Sequence, residues 1–241
     1  MMTLTTVVQK KEEGSFYVFW RVGTKRKGVL NILLDKNLED AGIVCELIAT
    51  RYLALDKQVF CREPGGGTGY KLVVSKGAIK KLALGKSDKK NLTKFAAHVK
   101  TRLRGAEISV SQKMDFMPNL DECDIEILDP EIQEYTKTYD EIVTPAIGSV
   151  LVTQHAIEQY QARISTGDPK NPWASLVGRL QHPDIQVQTF DDKVARHKAR
   201  KYGRVDNVEV WGHTDSKFKF LIVVNDDNEK RVLVTVFERK E

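Results

Sequence analysis

Apolar and polar positions change period several times along the chain. FYVFWRV at 16–22 and GVLNILLD at 28–35 are rich in β-branched and aromatic residues and flank the polar GTKRK. That pattern predicts a β-hairpin with Lys25, Arg26 and Lys27 at its tip. Across 37–55, apolar residues at 44, 47, 48, 52 and 55 repeat with helical spacing. Asn37 stands where an N-cap is expected, and Glu39 and Asp40 complement the helix dipole. A short strand at 57–62, a strand at 70–75, helices at 77–84 and 90–103, and a strand at 106–111 follow. In the 90–103 helix, Leu92, Phe95, Ala96, Val99 and Leu103 share one face, and His98 is expected at the surface or its boundary.

A second set of elements begins at 150. VLVTQHAIEQYQARI at 150–164 predicts a strand end, a turn and a helix in which His155, Gln159 and Arg163 share a face. PWASLVGRLQ at 172–181 predicts a second helix with Pro172 near its start, ended by His182-Pro183. Alternating runs at 185–190, 208–212, 217–225 and 231–237 predict strands, with 226–229 as a hairpin turn. Two helices followed by a meander make an α+β domain. The fold class is therefore α+β: an α/β domain over residues 1–113, a connecting segment over 114–147, and a domain of two helices plus an antiparallel sheet over 148–241. Pro145 and Gly148 mark the last boundary.

Charge changes this picture. The formal net charge of +5 is modest, but it is unevenly spread. Residues 71–104 hold eleven basic residues against one acid, Asp88. Residues 115–141 hold ten acids against one base, Lys137, so 114–147 is expected to be an acidic linker. Its spacing fits no calcium loop, because the glycine at the sixth position is missing. Residues 193–204, KVARHKARKYGR, hold six lysines and arginines with His197 and no acid. Such segregation points to surfaces for a polyanion. Lys76, Lys80, Lys81 and Lys94 in the first basic run, and Lys193, Arg196, Lys198, Lys201 and Arg204 in the second, are placed to meet phosphates, with Tyr202 able to stack on a base.

The glycine-rich PGGGTG at 64–69 is not a phosphate cradle, since no Gly-Lys-Ser/Thr closes it, and it is expected to be a mobile loop. Dinucleotide, P-loop and pyridoxal signatures are absent, so no cofactor is expected. Three cysteines far apart, with no CxxC, give neither a disulfide framework nor a cysteine zinc site, and no metal is expected. They favour a reducing compartment, the cytoplasm. No run of about 18 apolar residues occurs, so no membrane partner is expected.

Two resemblances rest on particular words. CELIATRYLAL, carrying Glu46, and KLVVSKGAIKKLAL resemble the glutamate helix and the fourth strand with its following helix in the ribonuclease H-like fold, over residues 14–112. That family places one aspartate on its first strand and another after the fourth. FYVFWRV holds none, and Val74-Ser75 stands where the second is expected. The resemblance thus implies a catalytically degenerate binding platform, since a metal pair needs several carboxylates.

VTQHAIEQYQARI and the closing VLVTVFER resemble RelE/ParE-like toxin domains, within the barnase–EndoU–colicin–RelE group of metal-independent ribonucleases, over residues 148–239. That resemblance implies RNA cleavage through the 2′-hydroxyl by a general acid, a general base and cations, and makes His155, Tyr160, Arg163, His197, Arg200 and His213 the candidates. His182, before a proline, reads as structural. Three functions follow: a nucleic-acid-binding protein, with RNA the expected partner, using 71–104 and 193–204; a metal-independent ribonuclease acting through 148–241; or an inhibitor whose segment 115–141 engages a basic protein partner.

Overall fold

The computed structural model describes residues 1–62, 64, 66–164, 171–189, 207–225 and 229–238. The chain divides into two units, Met1–Lys137 and Thr138–Glu241. Both are mixed α/β and each is built on one six-stranded mixed sheet. Among the described residues, no helix is long and apolar enough to cross a membrane.

In the first unit, β1 (Met2–Glu12), β2 (Ser15–Val22) and β3 (Arg26–Leu33) form an antiparallel meander. α1 (Ala41–Arg51) then leads to β4 (Tyr70–Val74), which pairs parallel with β1. α2 (Gly77–Ala83) and α3 (Ala97–Lys100) precede β5 (Glu107–Val110), parallel to β4. β6 (Ile125–Leu128) pairs parallel with β3, giving the order β5-β4-β1-β2-β3-β6. The unit closes with α4 (Ile132–Tyr135).

The central strand β1 is the element that the periodicity does not announce. Its sequence MTLTTVVQKKE interleaves threonines with apolar residues, yet Leu4, Thr5, Thr6 and Val7 are all buried. Threonine is β-branched and suits a pleated surface even where it reads as polar. The hairpin expected at 16–35 is therefore β2 and β3 rather than the first pair of strands. Alternation along β2 sends Phe16, Val18 and Trp20 into the main core and Phe19 to the opposite face.

α1 starts at Ala41, not after Asn37, and its preceding residue Asp40 is in the left-handed region (φ 57°) and pairs with Lys89. All residues from Val44 to Thr50 are buried, so this is a helix enclosed on every side. Its last turn widens over Tyr52–Asp56, where Lys57 N–H donates to Tyr52 O at 2.8 Å. Residues 58–62 make turns rather than the expected strand. The helix expected over 90–103 is broken into turns around α3, with three-residue steps such as Ala97 N to Lys94 O and Val99 N to Ala96 O. Its apolar face is nonetheless buried as the spacing indicates, and His98 is buried as well.

Residues 114–137 belong to the first unit and do not form a free spacer. Phe116, with Met117, Leu120, Cys123 and Ile125, packs against Val7, Phe19 and Val29 on the sheet face away from α1. The acids of this segment project around a small apolar core that net charge conceals. The glycine-rich stretch is also packed: Gly67 N–H donates to Arg104 O at 2.9 Å, and a Cβ there would lie 2.2 Å from Ala106 N.

In the second unit, β7 (Tyr139–Thr144) and β8 (Gly148–Thr153) form a hairpin whose turn holds Pro145. α5 (Gln154–Arg163) and α6 (Pro172–Leu180) follow, then β9 (Gln186–Val187), β10 (Val208–Gly212), β11 (Phe218–Val224) and β12 (Arg231–Glu238). The order is β7-β8-β12-β11-β10-β9, with β8 parallel to β12 and the other pairs antiparallel. Thr153 caps α5 by accepting from Ala156 N–H, and Asn171 caps α6 by accepting from Ala174 N–H, each at 3.1 Å. Both helices cover one face, where Ile157, Tyr160, Trp173 and Leu176 meet Phe218, Phe220, Ile222, Leu233 and Val236. A bulge in β12 opposite Leu221/Ile222 lets Leu233 and Val236, three residues apart, face the same core.

Candidate functional site

Two clusters concentrate polar chemistry, one in each unit. In the first, Glu46 on α1 is wholly buried and its carboxylate is fully used. Oε1 accepts from Thr6 Oγ1 of β1 at 2.8 Å and from Ser75 N–H at 2.6 Å. Oε2 accepts from Ser75 Oγ at 2.9 Å and from Lys76 N–H at 3.0 Å. The end of β4, where the chain turns towards α2, supplies both backbone donors. Burial pushes the Glu46 carboxyl above its ordinary value, against the pull of these four donors. Every neighbour bonded to it is a donor, and among the described residues no second carboxylate joins it. The arrangement ties α1 to β1 and β4.

Downstream of this cradle lie the lysines of the first basic run. Lys80, Lys81, Lys86, Lys90 and Lys94 are exposed, and Lys76 is half-buried. Ile79 and Leu82 anchor the inner face of α2, so Lys80 and Lys81 point outward. Lys71 pairs with Glu107, and Lys89 with Asp40 at 2.7 Å. Among the described residues, Lys76, Lys80, Lys81 and Lys94 form no ion pair. Of the acids of 115–141, Glu126 pairs with Lys57 and Glu134 with Lys137. The hairpin tip is less free, because Arg26 donates to Val59 O at 3.0 Å.

In the second unit, an open cleft of about 420 Å³ is lined by Arg179, His182, Ile185, His213, Asp215, Ser216, Lys217, Phe218 and Phe220. His182 follows α6 and His213 follows β10, and their rings meet edge to face with centroids 4.9 Å apart. Each ring is fixed by its own turn: His182 Nδ1 accepts from Asp184 N–H at 3.2 Å, and His213 Nδ1 from Asp215 N–H at 3.1 Å. The motif is the same twice, His-Pro-Asp and His-Thr-Asp. Beneath His213, the buried Lys219 donates from Nζ to His213 O at 2.9 Å. Gly212 leaves room for that lysine, since a Cβ there would lie 2.7 Å from Lys219 Cδ.

The candidates of 148–241 do not all gather here. His213 lines the cleft, and Tyr160 lies under it with no exposed surface. The Tyr160 hydroxyl shares a 2.7 Å hydrogen bond with Ser175 Oγ and accepts from Arg179 Nε at 2.7 Å, while Arg179 stacks 4.7 Å from the Phe218 ring centroid. His155 is exposed on the first turn of α5, and Arg163 is held by Gln159, one turn earlier, through O at 3.2 Å; neither lines the cleft. His197 and Arg200, with Lys193, Arg196, Lys198, Lys201, Tyr202 and Arg204, lie outside the described residues. His182 and Arg179 were not among the candidates. The signal available for them was the repeated His-x-Asp, which the proline after His182 obscured.

Comparison with protein-family models, curated proteins and solved structures returned no match for this chain.

Proposed function

We propose that the chain is a nucleic-acid-binding protein, directed at RNA, in which the first unit is a non-catalytic platform of ribonuclease H-like design. The single observation that carries this is the Glu46 cradle beside the unpaired lysines. The element order supports the resemblance: a meander, a helix bearing a buried glutamate, a strand, helices and a strand, with β4 and β5 parallel to β1. At the places where that family keeps aspartates, the strand facing Glu46 offers Thr6 and the end of β4 offers Ser75. Hydroxyls there donate to the glutamate, whereas carboxylates would repel it and call for metal ions. What remains for the platform is contact through cations. Among the described residues, Lys76, Lys80, Lys81 and Lys94 have no acid partner to surrender when a phosphate approaches.

Metal-independent cleavage by the second unit has less support, because His155 and Arg163 stand apart from the cleft that holds His213. An inhibitory role for 115–141 is weakened by the packing of Phe116 and Ile125 against the sheet.

Fluorescence anisotropy with labelled single-stranded and duplex RNA tests the proposal. Four phosphate contacts give a log–log salt slope of about −3, so affinity falls about 60-fold between roughly 50 and 200 mM salt. The K80A/K81A/K94A variant is expected to bind more weakly and to flatten that slope. Binding insensitive to salt, or unchanged in the variant, overturns the reading.

A further inference from the structure

We propose that His182, Asp184 and His213 form a binding site for a zinc-class divalent ion at the mouth of the cleft in the second unit. One ligand atom from each of these three side chains lies within 4.8 Å of the others. Two imidazoles and one carboxylate are the donor set of zinc, cobalt and nickel sites, whereas calcium and magnesium take oxygen ligands.

The residues come from two places that the fold brings together. His182 and Asp184 sit in the turn after α6, and His213 ends β10. The core contacts of Leu180 and Ile185, on either side of the turn, set its position. His213 is held from below by the Lys219 bond to its carbonyl. A tetrahedral zinc ion with bonds of about 2.0–2.2 Å brings its donor atoms to about 3.4 Å from one another. Closing the cluster from its present spacing to that one calls for rotation of these side chains. The His182 side chain is 49% exposed and that of Asp184 74%, so solvent rather than packed protein surrounds much of each.

The amide contacts to the two Nδ1 atoms, at 3.2 and 3.1 Å, are ordinary hydrogen bonds at the upper end of the range, and metal binding exchanges them for the bond to the ion when it takes Nδ1 or fixes the other tautomer. The three residues leave the fourth position of a tetrahedral ion to water. Nearby cations do not forbid the ion. Lys217 is paired with Glu238 at 3.2 Å, and Arg179 is drawn back onto Tyr160 and Phe218.

This site is independent of the lysines of the first unit, and so is its test. Tag-free full-length protein is titrated with zinc by calorimetry, and with cobalt(II) by visible absorption, which reports coordination geometry. Wild type is expected to bind one equivalent through this site. H182A and H213A are each expected to weaken that event by at least about 10-fold, and D184N by about 10-fold, on the scale of losses at metal sites. H155A and K80A/K81A/K94A are expected to leave it unchanged. His182 and Asp184 occupy an exposed turn, so H182A and D184N decide the matter even if H213A disturbs β10. The proposal is overturned if zinc does not bind, or if it binds equally well to a natively folded H182A variant.

Discussion

Glu46→Gln is the sharpest perturbation of the first unit, because it keeps shape and removes one acceptor. Each carboxylate oxygen of Glu46 accepts one backbone amide, Oε1 from Ser75 and Oε2 from Lys76. A glutamine amide in either orientation therefore sets its NH2 against a backbone N–H that cannot rotate away. One stranded donor in a buried place costs about 1–3 kcal/mol. Glu46→Ala strands both amides and both hydroxyls, and the expected loss rises to about 3–5 kcal/mol, a large share of a domain's usual 5–15 kcal/mol. Urea unfolding of each variant measures this, with hydrogen exchange in α1 and β4 assigning the loss to the first unit. A loss under about 0.5 kcal/mol for Glu46→Ala, a value typical of surface sites, would refute the claim that this carboxylate ties three elements together. The pH dependence gives a second check. The folded-state pKa of Glu46 is raised above its ordinary 4.5, so the folded state holds that proton more tightly than the unfolded chain. Its contribution is therefore lost as pH rises from about 4.5 through the raised value, and Glu46→Gln removes that component.

His98 acts in the opposite sense. Burial pushes it down to about 3 from 6.5, so the unfolded chain alone takes up its proton, and stability falls as pH drops below about 6.5. His98→Phe is expected to flatten that limb in thermal unfolding scans between pH 4 and 7. Gly67→Ala drives a methyl to 2.2 Å from Ala106 N and 2.3 Å from Leu103 O and is expected to cost about 1–3 kcal/mol or more, read as a lower urea midpoint. Tyr160→Phe removes the hydroxyl bonded to Ser175 and Arg179, and a loss of about 0.5–1.5 kcal/mol is expected in the second unit.

Much of the architecture could be read from spacing, and the failures have physical causes. The strands β2, β3, β4, β5, β10, β11 and β12 and the helices α2, α5 and α6 stand close to where alternation and helical repeats put them. β1 escaped because Thr5 and Thr6 break an apolar run on paper while burying well in a sheet. The acidic connector misled for the converse reason. Ten acids dominate 115–141, but Phe116, Leu120 and Ile125 suffice to fasten it to the sheet. The apolar stripe at 92–103 gave the right buried face and the wrong backbone, since residues spaced by three and four also bury in tight turns. Glu46 was legible as a helix glutamate, and Ser75 as the residue standing where the resemblance expects an acid; Thr6 was not legible, because a hydroxyl forty residues away meets Glu46 only in the folded sheet, on a strand that the periodicity does not announce. The two histidines of the cleft carried the same difficulty, each in its own turn with the pairing set by β10 and α6.

The cradle also explains how a sheet of this order accommodates a buried acid. A carboxylate enclosed by helix and strands must find compensation, and a metal pair is one source of it. Here compensation comes from two amides at the end of β4 and two hydroxyls, all supplied by the chain. The amides exist only where β4 stops pairing with β1 and β5 and its N–H groups turn towards α1. The strand end thus does for Glu46 what cations do elsewhere. Replacing Ser75 by Asp would place a second negative charge where Ser75 Oγ now sits 2.9 Å from Oε2, and repulsion at that distance in a buried place is expected to unfold the first unit or to make its stability depend on added divalent ions. Thermal unfolding of Ser75→Asp with and without manganese distinguishes these from a third result, a stable, ion-independent variant. That third result would mean the cradle has more room and more water than its four hydrogen bonds imply, and the proposal that the first unit is a non-catalytic platform would fall with it.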